Sequence, residues 1–167
     1  MREIISLFLL LMPLYIHAQK VEIAIGEGWA EIPVLQTQSE LKSGWKIVDY
    51  QMKSRLTHYM MGTHATQMVD ERPVFRVTPG EKEVLVDYAI IYLKSYKHYR
   101  KIPKAKLSDN EYTRLEPSDF DIRAVEDAFV CQPRRQLEPG EYILVNLAQE
   151  PIGELDDLLV FPFCIMK

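Results

Sequence analysis

The stretch HYMMGTHATQM carries His58, Met60, Met61, His64 and Met68, with Met52 just upstream. Imidazole and thioether are the ligand types that copper selects, which makes His58, Met60, Met61 and His64 a candidate metal set. His58 and His64 stand six positions apart. On one continuous strand they share a face but lie ~20 Å from each other, too far to hold one ion. A hairpin turned at Gly62 makes them near-opposite partners, so the metal reading depends on that hairpin. The plainer reading puts the methionines in a core and the histidines in solvent.

A second cluster is KSYKHYRKIPKAK, Lys94–Lys106, with six Lys or Arg, one His and two Tyr in a chain of net charge −4. Basic residues interleaved with aromatics suit acidic glycans, phospholipid headgroups or nucleic acid. Tyr96, Lys97, His98, Tyr99, Arg100 and Lys101 are the candidate ligand-binding residues. If the strand persists, alternation puts Tyr96, His98 and Arg100 on one side and Lys97, Tyr99 and Lys101 on the other. The structural alternative is a strand end charged for solubility and against edge pairing.

Carboxylates gather between Asp109 and Asp127, with Asp119, Asp121, Glu126 and Asp127 prominent. They do not have EF-hand spacing, and no glycine sits at the sharp turn that loop needs. A glycosidase acid and base need a defined separation, which the sequence does not give. There is no Gly-x-Ser-x-Gly elbow, His-Glu-x-x-His, phosphate-binding glycine loop or Cys-x-x-Cys, so no catalytic residue and no cofactor is assigned. Trp29 and Trp45 read as core, with a sugar-stacking platform alongside Tyr59 as the alternative.

The elements that must position these residues begin after residue 18. Positions 1–18 have a short charged start, an apolar run from Ile4 to Met12, Pro13, and a small residue, Ala18, at the end. That is the layout of a secretory signal peptide, and the run is shorter than the ~20 residues of a membrane span. The expected mature chain, 19–167, is the size of one domain with a real core, has no transmembrane segment, and belongs in the periplasm, secreted or at the cell surface. Export and mild acidity argue against nucleic acid as a partner. Export also permits a disulfide between Cys131 and Cys164. In a simple meander the two strands would be ~9.6 Å apart, beyond the ~7 Å a disulfide tolerates. A bond therefore needs neighbouring or facing strands, and two buried thiols are the equal alternative.

Turn signals and β-rich runs fill the rest. Pro79-Gly80 and Pro139-Gly140 each precede a long apolar run, Val84–Tyr92 and Tyr142–Leu147, which reads as a type II turn feeding a central strand. Further strands are expected at Glu31–Thr37, Trp45–Met52, Pro73–Val77, Asp119–Val125, Ala128–Gln132 and Asp157–Ile165. Short helical turns are expected at Ser108–Tyr112 and Leu155–Leu158. Pro162 marks the last strand as an edge or a bulge. Eight or so short strands predict an all-β antiparallel sandwich, Ig-like or jelly-roll-like.

The leader ending HAQ, the segment RPVFRV, the strand ending YKHYRK and the run CQPRRQLEPGEYIL together resemble uncharacterised secreted β-sandwich proteins of Bacteroidetes-type bacteria. The likeness covers about Arg72–Ala148. It implies a sandwich and no activity. The leading expectation is a non-catalytic binding or assembly module for a cell-envelope protein or anionic glycan. A copper-type metal-binding protein and a glycan hydrolase are the alternatives.

Overall fold

A computed structural model describes residues 19–45, 52–81, 83–102, 112–148 and 158–166, with backbone alone for 40–45 and 52–57. The expected leader lies outside the described residues, as do the two expected helical turns apart from Tyr112 and Leu158. Among the described residues the chain is all-β. In order, the strands are β1 (Lys20–Ile25), β2 (Gly28–Glu31), β3 (Leu35–Gln36), β4 (Gln38–Trp45), β5 (Met52–Met61), β6 (Met68–Val69), β7 (Phe75–Thr78), β8 (Tyr88–Tyr92), β9 (Lys94–Ser95), β10 (Tyr99–Lys101), β11 (Thr113–Arg114), β12 (Phe120–Val125), β13 (Ala128–Pro133), β14 (Gly140–Asn146) and β15 (Leu159–Ile165).

They form three sheets. One runs β12-β13-β7-β1-β2, one β4-β5-β10-β9, and the third β11-β8-β14-β15-β3 with β6 beside β15. Pairing is antiparallel except between β6 and β15. The sheet built on β8, β14 and β15 is the middle layer. Its Tyr88, Ile90, Tyr142, Leu144, Phe161 and Phe163 pack against Val21, Ile23, Phe75, Val77 and Phe120 of the five-stranded sheet. Alternate residues Ile91, Ile143, Val145 and Val160 point the other way and meet Met60 of the four-stranded sheet. Each large side chain buried here contributes about 1.5–3 kcal/mol, which is why β8 and β14 lack the polar alternation of a half-exposed strand. The two-layer expectation accounted for one of those faces. The third sheet covers the other.

Local details depart from the sequence reading for identifiable reasons. Gly80 does not take a positive φ. Its carbonyl accepts from the Glu83 N–H at 3.0 Å and its own N–H donates to the Glu83 carboxylate at 2.8 Å. The first part of the Val84–Tyr92 run then coils into a 3-10 turn at Leu85–Asp87, so β8 starts only at Tyr88. Gly140, at φ +153°, opens β14, and a Cβ there would lie 2.5 Å from the Tyr92 ring. That glycine makes room for an aromatic contact rather than the second corner of a type II turn. Pro162 sits within a strand paired on both sides, but β3 reaches only Leu159 and Val160 and β6 only Cys164 and Ile165. The missing N–H falls in the gap between those two short neighbours.

The N-terminal third shows the largest shift. β1 was not foreseen, although Val21 and Ile23 alternate into the core. Of the strand expected at Trp45–Met52 only the two end residues are described, Trp45 as the last residue of β4 and Met52 as the first of β5. Trp45 is opposite Met52, and positions 46–51 lie outside the described residues. Trp29, expected in the core, is 40% exposed and stacks under the Arg76 guanidinium at 4.9 Å. The strand at Phe75–Thr78 keeps the expected alternation, with Phe75 and Val77 inward, while Phe120–Val125 keeps it only as far as Phe120 and the half-buried Ile122, Ala124 being exposed.

Candidate functional site

The basic cluster folds as a tight hairpin. β9 and β10 pair Ser95 with Arg100 and Lys94 with Lys101, and the Tyr96 N–H donates to the Tyr99 carbonyl at 2.9 Å. The chain therefore turns at Lys97 and His98, and the single-strand alternation expected from the sequence does not hold. β10 also pairs with β5, placing Tyr99 opposite Met61, Arg100 opposite Met60 and Lys101 opposite Tyr59. Strand alternation then divides the side chains cleanly. Arg100, Met60 and His58 go inward and are buried. Tyr59, Met61, Tyr99, Lys101 and Lys94 belong to the outer face.

The outer face is aromatic and cationic. Tyr96 and Tyr99 stack with centroids 4.8 Å apart and planes 17° apart. Tyr59 meets Tyr99 edge-on at 6.1 Å, and Lys94 Nζ lies 5.7 Å from the Tyr96 ring. Tyr96 and Tyr99 remain partly open to solvent, and Lys94, Lys97 and His98 are exposed. Among the described residues no carboxylate pairs with Lys94, Lys97 or Lys101.

The inner face fixes the hairpin. Arg100 Nη1 donates to Glu141 Oε2 at 3.0 Å, and both side chains are buried. Glu141 lies on the side of β14 that faces the four-stranded sheet, in step with Ile143 and Val145. The same carboxylate accepts the Ala65 N–H at 2.9 Å and contacts His64 Nδ1 at 3.0 Å. The Gly62 N–H donates to the His98 carbonyl at 2.9 Å, and the Cys164 N–H to the Gln67 carbonyl at 2.8 Å. The loop after β5 is thus tied to the hairpin tip at one end and to β15 at the other, with Glu141 beneath it. Arg100 Nε is buried with no hydrogen-bond partner among the described residues.

The candidate metal set is divided by this geometry. Gly62, at φ +88°, ends β5 rather than turning a hairpin, because both edges of β5 are already taken by β4 and β10. His58 is buried opposite Ser39, with Nδ1 3.4 Å from Thr37 Oγ1, while His64 contacts Glu141. Met60 is buried, and Met61 on the opposite face is 62% exposed. The hairpin on which a shared ion depended is not formed. Among the described residues no group of three or more His, Cys, Asp or Glu is placed to hold a metal.

Both cysteines are free. Cys131 is fully buried between the five-stranded and middle sheets, where burial pushes its thiol up to about 12. Cys164 points to the other side of the middle sheet, opposite Glu141. Burial and the Glu141 carboxylate raise it to about 11. Facing different cores, the two cannot meet, and neither is an activated thiolate.

Among the described residues the carboxylates of the third cluster do not gather at one site. Asp121 pairs with Arg134 at 3.1 Å and Asp119 accepts from Ser118 at 3.0 Å. Glu126 and Asp127 line an open recess of about 300 Å³ with Lys20, Glu22 and Arg76. Burial alone would raise Glu22, but contacts from Lys20 and Arg76 outweigh it and hold that carboxyl below its usual range.

Sequence reading missed Glu141 and the pairing of Lys94 with Lys101. Glu141 had a signal: it is the charged residue at the head of the apolar run Tyr142–Val145, in phase with the inward positions Ile143 and Val145. Lys94 had none, since its place opposite Lys101 depends on where the hairpin turns. No helix among the described residues is long and apolar enough to cross a membrane. Comparison with protein-family models, curated proteins and solved structures finds no match for the chain.

Proposed function

We propose that the chain is an exported, non-catalytic binding or assembly module acting on a cell-envelope partner in the periplasm or at the cell surface. In this reading the five-stranded and middle sheets are the β-sandwich body, and the four-stranded sheet carries the working surface. The observation that supports it is the outward Tyr59, Tyr96 and Tyr99 group, with lysines around it that no carboxylate among the described residues neutralises, on a hairpin held from below by Arg100 and Glu141. Aromatic rings beside free ammonium groups, on a scaffold that does not need to reorganise, are the makings of a recognition surface.

The test is binding of the mature chain to a glycan array and to purified envelope fractions, with Tyr96→Ala/Tyr99→Ala as the comparison. Binding that falls at least tenfold in the variant, with the far-ultraviolet spectrum unchanged, supports the reading. Equal binding by both proteins removes it.

A further inference from the structure

We infer that the ligand of this face is an acidic polysaccharide, a chain of sugar rings bearing carboxylate or sulfate groups, with one anionic group seated between Lys94 and Lys101. The inference rests on the binding reading above and names the ligand class.

Its starting point is a like-charge pair. Lys94 and Lys101 are directly opposite each other on β9 and β10. They share the outer face because their neighbours Ser95 and Arg100 form the inward pair and Arg100 is buried. Side chains so placed have Cβ atoms about 4.5–5.5 Å apart, and like charges there repel. Some surface cations of this chain are neutralised, Lys20 and Arg76 converging on Glu22 and Arg134 meeting Asp121, while others such as Arg123 have no carboxylate among the described residues. The Lys94–Lys101 pair has no carboxylate among the described residues, and Lys97 at the hairpin tip has none either. Three unneutralised ammonium groups on one hairpin, in a chain of net charge −4, form a local field opposite in sign to the molecule. An anion between the pair removes the repulsion and gains two charge-assisted contacts.

The neighbouring row identifies what carries the anion. Across the sheet from Lys94 and Lys101, the same face continues to Tyr59, and one step along it to Tyr99 and Tyr96. These are amphipathic rings that offer apolar edges to sugar C–H groups and phenolic oxygens to sugar hydroxyls. A membrane surface would call for protruding apolar side chains, and on this face only Met61 among the described residues is both long, apolar and mostly exposed. Nucleic acid is disfavoured by the leader and by the acidity of the whole chain.

The experiment is calorimetric titration of the mature chain at low and at 0.5 M salt. The probes are polygalacturonate, dextran sulfate, uncharged dextran, vesicles of phosphatidylglycerol, and a single-stranded oligonucleotide. Wild-type protein is expected to bind polygalacturonate or dextran sulfate and to lose most of that affinity at high salt. Lys94→Gln/Lys101→Gln is expected to weaken binding at least about tenfold. Its melting temperature is expected to hold or rise, because the repulsion is gone; this separates a lost contact from a damaged fold.

If uncharged dextran binds equally well, and Tyr99→Ala still abolishes that binding, the acidic class is overturned while the binding face stands. If no glycan binds, or if Tyr96→Ala/Tyr99→Ala binds like the wild type, the face itself is overturned. Binding confined to the vesicles or to the oligonucleotide also overturns the inference.

Discussion

Glu141→Ala removes one acceptor from three groups at once: the Arg100 guanidinium, the Ala65 N–H and the His64 ring. The cost follows from burial. Arg100 is 2% exposed and its Nε already lacks a partner among the described residues, so without Glu141 it becomes a buried cation with no counter-charge there. Removing one member of such a pair typically costs about 3–5 kcal/mol. The Ala65 N–H adds to this, but water entering beside the exposed His64 side chain offsets part of it, so about 4 kcal/mol is the working value. For a domain of this size that is a fall of roughly 8–16 °C in melting temperature. Arg100→Met should cost less than Glu141→Ala, because the carboxylate keeps its contacts to Ala65 and His64. The double variant Arg100→Met/Glu141→Gln is neutral, retains an acceptor for Ala65, and should return to within about 2 kcal/mol of wild type. Urea denaturation followed by circular dichroism measures all four proteins. A loss under 1 kcal/mol for Glu141→Ala, or a double variant less stable than Arg100→Met alone, would refute the view that this pair fixes the hairpin to the middle sheet.

Three further outcomes are expected. Alkylation in denaturant without reductant should add two groups per chain, since Cys131 and Cys164 face different cores; no addition would mean a disulfide and a different sheet packing. Stability should fall with rising alkalinity. Cys131, Cys164 and Tyr142 are held above their unfolded values, at about 12, 11 and 12, so the folded state keeps protons that the unfolded chain releases. Their contribution is full below about pH 9 and declines from there toward pH 12. Urea midpoints between pH 7 and 11 should be flat and then drop, with a shallower drop in Cys131→Val; a midpoint constant to pH 11 contradicts the assigned burial. Gly140→Ala should destabilise by about 1–3 kcal/mol, because its Cβ meets the Tyr92 ring and its φ of +153° suits glycine. Tyr92→Ser in the same chain should recover part of that loss in a thermal melt, and no recovery would place the strain elsewhere.

Strand sequences with strong phase were legible. Phe75 and Val77, and Phe120 with Ile122, show which side faces a core before any partner is known. The doubly apolar runs at Tyr88–Tyr92 and Tyr142–Val145 announced a buried middle strand, and the third sheet is the physical consequence of having two oily faces. Where the reading slipped, the turn signal was overridden, once by a nearby side chain and once by a distant strand. Gly80 beside Pro79 looked like a type II corner, yet the Glu83 side chain reaches back to the Gly80 N–H and starts a coil that shortens β8. Gly62 looked like a hairpin corner, yet β5 had already filled both its edges with β4 and β10. Glu83 stands only three residues from Gly80, so that slip was local, whereas β10, which takes the second edge of β5, lies far along the chain.

The site was half legible for the same reason. Composition alone marks Tyr96–Lys101 as basic and aromatic, but composition cannot separate Arg100 from its neighbours. A two-residue turn at Lys97 and His98 does that, because it fixes the phase of β10 and sends Arg100 inward while leaving Tyr99 and Lys101 outside. Once Arg100 is inside, a counter-charge on the facing layer is required, and β14 supplies Glu141 at the one end of its run where the apolar pattern breaks. The buried pair and the exposed lysines are therefore two results of one choice of phase. A one-residue slip of β10 would bury Tyr99 and Lys101, strand Glu141 without its cation, and turn Arg100 to solvent. The hairpin's register is held by the energetic penalty of that exchange, and the outward face keeps its tyrosines and lysines in fixed order because the inward face cannot change.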